Sequence, residues 1–227
     1  MGETTATGRD VPVRGCEATQ GSDDWLKSRL GWVTCSRFCD VMTNARSKSG
    51  LSQTAERYML DLIGEHLTGK PASTVKVPAM EWGNTYEPLA RQEYEERTER
   101  TVALRGFVPH GNEPFVGGSP DGAILGDFLD TGIIEIKCPM TQANHARVIM
   151  SGQMPDDHVD QVQGYMWLTA AHWCDFISFH PDFPDKWRLL VIRVPRDDDY
   201  IEQLRFKVLA FRDEMLRRLN LIVERWE

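Results

Sequence analysis

The residues best suited to chemistry are an aspartate and, fourteen positions later, a glutamate that is followed two residues on by a lysine. Asp121 stands in segment 118–122, which is rich in Gly, Ser and Pro and favours a turn or strand start. Glu135 and Lys137 stand in segment 131–139, whose β-branched residues favour a strand. Because strand side chains alternate between faces, Glu135 and Lys137 share one face. If the two segments pair as a hairpin, Asp121 reaches the same edge as Glu135.

Two carboxylates beside an ammonium group suit a divalent metal ion that acts on a phosphodiester. Mg²⁺ takes oxygen ligands, usually one or two carboxylates with water and substrate phosphate. Asp121, Glu135 and the backbone carbonyl of Ile136 are therefore candidate ligands, and Lys137 can orient the attacking water or offset developing charge. The alternative is an ordinary ion pair on a solvated strand edge, because Asp…Glu-x-Lys also occurs by chance.

Two further segments supply polar groups that could complete such a site. Glu87 ends the pattern Trp82-Gly83-x-x-Tyr86-Glu87 and could bind a second metal ion or its water, or be a surface carboxylate of an acidic helix. Gln161 and Tyr165 are four residues apart, which makes them neighbours on one helix face. Gln161 can hydrogen-bond a phosphate, a water or a catalytic carboxylate; the alternative is a buried polar pair that caps the sheet.

The elements that must position these residues follow from periodicity and from turn signals. They predict an α/β (α+β) fold, in which helices flank a central mixed sheet. Residues 1–20 have no period and are expected to be a flexible tail, which leaves 21–227 as a single domain. Helices are predicted near 23–30, 34–42, 54–68, 78–98, 141–151, 157–170 and 198–223, and strands near 102–108, 114–118, 122–126, 132–138, 173–180 and 187–194.

Composition narrows the class of protein. The chain has 227 residues, 41% of them hydrophobic, and a net charge of −8, which argues against a protein that coats DNA by charge alone. Its five cysteines are odd in number and scattered, which favours a reducing cytoplasm over a disulfide framework. Cys35 and Cys39 lack a nearby Cys/His pair that would complete a zinc site. No segment approaches eighteen apolar residues, so no membrane span is expected.

Taken together, the motifs resemble those of lambda-type exonucleases of phage recombination systems. This is the YqaJ viral recombinase family, within the RecB-like and restriction-endonuclease-like nucleases, and the chain resembles a bacterial or prophage member. The resemblance runs from about residue 21 to residue 226 and rests on six motifs in order: Trp25…Arg29-Leu30-Gly31, Thr34-x-Ser36, Trp82-Gly83-x-x-Tyr86-Glu87, Ser119-Pro120-Asp121-Gly122, Glu135-x-Lys137-Cys138-Pro139 and Gln161-Val162-Gln163-x-x-Met166-Trp167.

The resemblance implies Mg²⁺-dependent, processive 5′→3′ digestion of duplex DNA, with Mn²⁺ as an alternative ion. It implies a ring-shaped homotrimer that leaves a 3′ overhang for a single-strand annealing protein. Asp121 and Glu135 would be metal ligands, Glu87 would serve a second metal ion, Lys137 would act on the water and Gln161 would support the site.

The resemblance also assigns residues that hold DNA. Arg29 and Ser36 would bind the 5′-terminal phosphate, Arg46 would lie near the DNA entrance, and Met80 would be a wedge that separates the terminal base pair. An arginine offers a two-pronged donor to phosphate, and a serine at a helix start lies beside outward-pointing N–H groups. The alternative for Arg29 is a surface ion pair with an aspartate of its own helix.

Two other functions fit the same motifs. The first is a structure-specific or restriction-type endonuclease on the same core, which would cut a closed circular plasmid. The second is a catalytically silent protein that binds DNA ends. The presence of Asp121, Glu135 and Lys137 together argues against the second.

Overall fold

The computed structural model describes residue 18 and residues 20–44, 50–72, 78–124 and 131–226. The expected tail, apart from residues 18 and 20, and Arg46 lie outside these residues. The helices are α1 (Asp23–Ser28), α2 (Phe38–Met42), α3 (Gln53–Thr68), α4 (Pro78–Thr98), α5 (Gln142–Ser151), α6 (Val159–Thr169), α7 (Asp185–Arg188) and α8 (Asp198–Trp226). The strands are β1 (Val33–Thr34), β2 (Val102–Ala103), β3 (Val108–Pro109), β4 (Val116–Gly118), β5 (Gly122–Ile124), β6 (Gly132–Lys137), β7 (Trp173–Phe179) and β8 (Leu189–Pro195).

A five-stranded mixed sheet forms the centre of the fold, in the order β2-β5-β6-β7-β8. The β6–β7 pair is parallel and the other pairs are antiparallel. Strand β6 is therefore flanked on both sides, and every residue from Gly132 to Ile136 is buried. A strand covered on both faces reads as a continuous apolar run, as this segment does. The mixed sheet with flanking helices confirms the predicted fold class, and the solvated-edge alternative for Glu135 is wrong.

A second, three-stranded sheet of order β1-β4-β3 was not predicted. The single strand expected over 102–108 is divided: β2 pairs with β5 in the large sheet, and β3 pairs with β4 in the small one. Strand β1 runs parallel to β4, with Val33 opposite Val116. Strands of two or three residues are too short to show a period of two, so pattern alone could not find them.

One hydrophobic core packs residues of both sheets against helices α2, α3, α6 and α8. Helix α8 buries Leu204, Val208, Phe211 and Met215, the face that its spacing predicts, and packs on α2, α3 and α6. Helix α3 begins at the Ser52 cap, whose side chain accepts from Ala55 N, and ends before Gly69 at φ 66°.

A smaller core lies under α4, on the other side of the large sheet. Ala90 and Tyr94 are buried there. The Tyr94 hydroxyl donates to Asp175 Oδ2 at 2.7 Å, and Arg193 donates to both oxygens of Asp175 at 2.9 Å. Because Asp175 belongs to β7, the buried hydrogen bond from Tyr94 to Asp175 attaches α4 to the large sheet. Glu87, two turns before Tyr94 on α4, is positioned by the same attachment.

Candidate active site

The β5–β6 hairpin brings the first two candidate ligands together, as the sequence predicts. Gly122 lies opposite Ile134 in the ladder, so Asp121 stands at the edge where Glu135 emerges. Asp121 Oδ2 accepts a hydrogen bond from the backbone N–H of Ile136 at 2.7 Å. The Val102 side chain packs closely on Gly122, where a Cβ would lie 2.2 Å from Val102 Cγ1, so this position favours glycine.

Glu135 is held by neutral and positive donors on one oxygen only. Its Oε1 accepts from Lys137 Nζ at 2.6 Å and from Gln161 Nε2 at 2.7 Å. Its Oε2 is buried and accepts no hydrogen bond from the described residues. Burial of a carboxylate oxygen without a hydrogen-bond partner costs free energy, and a bound cation would offset that cost. Lys137 and Glu135 share a face of β6, as predicted.

The electrostatics of the carboxyl groups are those expected at a candidate functional site. Burial, and secondarily the charge of Asp121, raise the pKa of Glu135 to about 8, against the opposing effect of Lys137. Burial and Asp121 likewise raise the pKa of Glu87 to about 7. Burial also raises the pKa of Asp121, although Lys137 acts to lower it. A protein keeps acidic groups in such surroundings at functional sites, where a charge of opposite sign is bound.

Gln161 and Tyr165 form the pair that their spacing predicts on α6. Gln161 Nε2 donates to the Tyr165 hydroxyl at 3.0 Å as well as to Glu135. Tyr165 is 3% exposed. The pair therefore contacts the candidate Glu135 carboxylate, which the alternative of a pair that only caps the sheet does not describe.

Glu87 reaches the site from the side of α4, with a quarter of its side chain exposed. It is therefore not the ordinary surface carboxylate that was the alternative. Its Oε1 accepts a hydrogen bond from Arg91 Nη2, one turn further along the helix. Sequence reasoning missed Arg91, although the four-residue spacing from Glu87 could have indicated it.

A second polar set lines the same site. Arg29 Nη2 donates to Thr34 Oγ1 at 3.2 Å and to Ser36 Oγ at 3.3 Å, and its guanidinium lies 4.5 Å from the Trp25 ring centroid. Trp25 Nε1 in turn donates to Ser119 Oγ at 2.9 Å. Arg29 is thus held among hydroxyl groups instead of in an ion pair with its own helix. Ser119, which adjoins the Asp121 turn, was missed as a site residue.

Both sets line one cavity of about 190 Å³. The lining includes Glu87, Asp121, Glu135, Lys137 and Gln161 of the first set and Arg29, Ser36 and Ser119 of the second. Residues of α4, β6 and α6, and of the three turns that contain Arg29, Ser36 and Asp121, thus converge on a single space. An arginine with hydroxyl groups suits a phosphate, and a carboxylate pair with a lysine suits a metal ion beside that phosphate.

Some sequence-derived candidates are not brought to this cavity. Met80 lies in the first turn of α4 and is 56% exposed, so its wedge role stays a prediction. Cys35 is buried and Cys39 exposed. Within the described ranges, no three His, Cys, Asp or Glu side chains form a metal-holding group. The carboxylate pair would need the Ile136 carbonyl, water and substrate oxygens to complete a metal shell. No described helix is long and apolar enough to cross a bilayer.

The family profile for the YqaJ-like viral recombinase domain matches residues 24–172 of the chain. The chain belongs to this family. The matched span contains Arg29, Ser36, Glu87 and Asp121, together with Glu135, Lys137 and Gln161. The residues that converge on the cavity therefore all lie inside the family domain.

Solved structures agree with membership of the YqaJ-like family. The chain is 34% identical to an alkaline exonuclease, LHK-Exo, from Laribacter hongkongensis, with a TM-score of 0.81 over 90% of this chain and 97% of the other. LHK-Exo has also been crystallised in complex with dAMP, with the same agreement. A phage-related exonuclease from Haemophilus somnus, 18% identical with a TM-score of 0.65, covers 85% of this chain and 96% of its own and shares the fold.

A curated relative of this YqaJ-like protein is the uncharacterized protein R354 of Acanthamoeba polyphaga mimivirus. The two are 27% identical over 177 residues, which is 74% of this chain. The match spans 30% of the length of the mimivirus protein.

Proposed function

We propose that the protein is a Mg²⁺-dependent exonuclease that digests one strand of duplex DNA processively in the 5′→3′ direction. The observation that carries this proposal is the cavity that the Asp121–Glu135–Lys137 group and the Arg29–Ser36–Ser119 group line together. The likeness to the alkaline exonuclease LHK-Exo supports the same chemistry.

A metal ion fits the carboxylate end of the cavity. The unpartnered Oε2 of Glu135 and the carboxyl group of Asp121 supply two hard oxygen atoms, and the Ile136 carbonyl is a third candidate. Glu87 is available for a second ion or its waters. Mg²⁺ there would polarise the scissile phosphate and make a coordinated water more acidic, and Mn²⁺ could replace it.

The protein's own side chains then have distinct roles. Lys137 places a positive charge beside Glu135, where it can orient the attacking water and offset the charge that develops on the phosphate. Gln161 fixes the rotamer of Glu135 through Oε1, which leaves Oε2 available to hold a metal ion. Neither role requires movement of the backbone, because β6 lies at the centre of the sheet.

The Arg29 group in the cavity supports the proposed 5′→3′ direction of digestion. A 5′-terminal phosphate bound by Arg29, Ser36 and Ser119 would place the next phosphodiester at the carboxylates, since both sets line one short cavity. Each cut would create a new 5′-phosphate that can move into the same place. The product strand is a 3′ overhang, which a single-strand annealing protein would bind in recombination.

The deciding assay uses a linear duplex with one 5′-phosphorylated and one 5′-hydroxyl end, strand-specific labels, and reactions with and without Mg²⁺. Digestion should start at the phosphorylated end, release label from the 5′ side and require the metal. Arg29→Ala should slow digestion of the phosphorylated end strongly and of the hydroxyl end little. Equal losses at both ends would make Arg29 a structural residue and remove the basis for the direction.

A closed circular plasmid distinguishes the competing endonuclease. An exonuclease needs an end and should leave the circle intact under conditions that digest the same plasmid once it is linearised. Nicking of the circle would favour the endonuclease. Binding of ends without hydrolysis, in Mg²⁺ and in Mn²⁺, would favour the silent end-binding protein.

A further inference from the structure

Gln20 lines the candidate active-site cavity, and the motifs above give it no role. Its side-chain Nε2 donates to the backbone carbonyl of Ser119 at 3.2 Å and to that of Pro120 at 3.3 Å. These two residues directly precede Asp121 and lie 99 and 100 positions from Gln20 along the chain. One side chain thus joins the segment before α1 to the turn that carries a candidate metal ligand.

Helix α1 is held in place by polar contacts. It is six residues long and buries none of them, so it lacks the buried apolar face that fixes most helices on a core. Among the described residues, the Asp121 turn is joined to this region by the two bonds from Gln20 and by one from Trp25 Nε1 to Ser119 Oγ at 2.9 Å. Beyond α1, the Gly31 N–H donates to Glu65 Oε2 at 2.9 Å.

The chain from Gln20 to Arg29 has a defined shape. Gly21 has a φ of 84°, in the left-handed region that favours glycine, and the Ser22 side chain caps α1 by accepting from Trp25 N at 3.2 Å. Arg29 directly follows the last residue of α1. The hydrogen bonds of Gln20 therefore restrain α1 and the guanidinium that comes after it.

The turn that accepts these bonds is fixed by the large sheet. Asp121 Oδ2 accepts from Ile136 N–H at 2.7 Å, and Gly122 pairs with Ile134 in the β5–β6 ladder. Loss of the Gln20 bonds should therefore leave the carboxylates in place and loosen α1. A displacement of about 1 Å between a bound group and the reacting centre can cost roughly 10²-fold in rate.

We propose that Gln20 is a positioning residue that sets the place of α1, and with it Arg29, relative to Asp121. It would thereby fix the distance between a bound 5′-phosphate and the carboxylates that act on the next phosphodiester. This inference rests on the proposed 5′-phosphate recognition and assigns a residue that such recognition depends on.

Two substitutions of Gln20 test the inference on duplexes with a 5′-phosphorylated or a 5′-hydroxyl end. Gln20→Met removes both donors, and Gln20→Glu keeps the shape of the side chain but replaces the donors with an oxygen. In single-turnover reactions with Mg²⁺, the rate ratio of phosphorylated to hydroxyl ends should fall roughly tenfold in both variants, since two hydrogen bonds to the turn are lost. The rate on the hydroxyl end should change little. Gln203→Met, on the exposed face of α8, is the matched control and should keep the wild-type ratio.

Hydrogen exchange in the protein without DNA or metal gives a readout that does not depend on activity. The amides of residues 23–31 should exchange faster in both Gln20 variants than in the wild type, whereas those of α8 should keep their rate. Unchanged exchange over 23–31 would overturn the proposal, as would an unchanged rate ratio or an equal loss of rate at both ends.

Failure of the proposed function gives a different result. A wild type that does not distinguish the two ends, together with faster exchange over 23–31 in Gln20→Met, would remove the 5′-phosphate recognition and retain the attachment of α1 by Gln20. Thermal unfolding establishes that each variant is folded, and either Gln20 variant serves alone if the other is not.

Discussion

At the scale of single residues, burial of the Glu135 carboxyl group costs the fold stability, as expected at a functional site. A glutamate that is 2% exposed with a bare Oε2 is held in its neutral form, as the rise of its pKa to about 8 indicates. Stability from the protonated side chain is full below the ordinary pKa near 4.5 and is lost as the pH rises through about 8.

Glu135→Gln, which mimics the neutral form, should therefore stabilise the metal-free protein above pH 8 by on the order of 1–3 kcal/mol and have little effect near pH 4. It should also abolish hydrolysis and remove the rise in melting temperature that Mg²⁺ is expected to give the wild type. Chemical unfolding at the two pH values, with and without Mg²⁺, measures each effect. A variant that is less stable at pH 9, or still stabilised by Mg²⁺, would contradict the assignment.

Lys137 is the second residue whose role can be isolated. Its ammonium lies 2.6 Å from Glu135 Oε1 and is one-third exposed at the cavity. Lys137→Ala should slow the single-turnover hydrolysis step by roughly 10²-fold or more, since a group that stabilises developing charge is lost. Affinity for duplex DNA should fall much less. An unchanged single-turnover rate would remove Lys137 from the mechanism, and Lys186→Ala on α7 is the control for loss of a lysine elsewhere.

At the scale of elements, Gly118 on β4 couples the two ends of the cavity. A Cβ at Gly118 would lie 2.8 Å from Cys35 Sγ and 2.8 Å from Tyr165 Cε1. Cys35 precedes Ser36 in the 3-10 turn, and Tyr165 supports Gln161. The small sheet therefore holds the turn that contains Ser36, the proposed phosphate-binding residue, in contact with α6.

Gly118→Ala should destabilise the protein by about 1–3 kcal/mol through overpacking and should reduce both activity and the preference for a 5′-phosphate. Gly64→Ala is the matched control, because nothing lies within 4 Å of its Cβ position in helix α3. That change should be neutral or stabilise by up to about 1 kcal/mol, as helix propensity dictates. Urea unfolding of both variants decides the point; equal midpoints would show that the contact at Gly118 carries no constraint.

At the scale of the whole molecule, the net charge of −8 bears on the proposed processive digestion of DNA. Long-range repulsion disfavours residence of an acidic monomer on a polyanion. A closed ring of three chains, with basic residues on its inner wall, would retain threaded DNA topologically.

Light scattering should therefore give a mass near three chains of 25.9 kDa. Digestion of a long duplex should continue for many nucleotides after excess unlabelled DNA is added as a trap. A monomeric mass, or digestion that stops when the trap is added, would defeat the ring and leave the exonuclease proposal standing. Matched reactions without the trap establish the full rate.

The sequence by itself determined the fold class and the long elements, and it predicted the candidate catalytic trio. Helices α3 and α8 and strand β6 carry clear caps, periods or apolar runs, because such signals are local along the chain. The pairing of Asp121 with Glu135 was also predictable, since a hairpin of adjacent strands has few alternatives.

Only the tertiary structure decided how the distant parts meet. Sequence spacing could not show that Arg29 and Ser119, ninety positions apart, share one cavity, that Glu135 is buried at a sheet centre, or that Arg91 holds Glu87. The two-residue strands β1 and β3, which pair with β4, have no local sequence pattern. The hydroxyl groups around Arg29 have none either. Their physical cause is long-range packing, in which a residue's environment is set by elements far away in the chain.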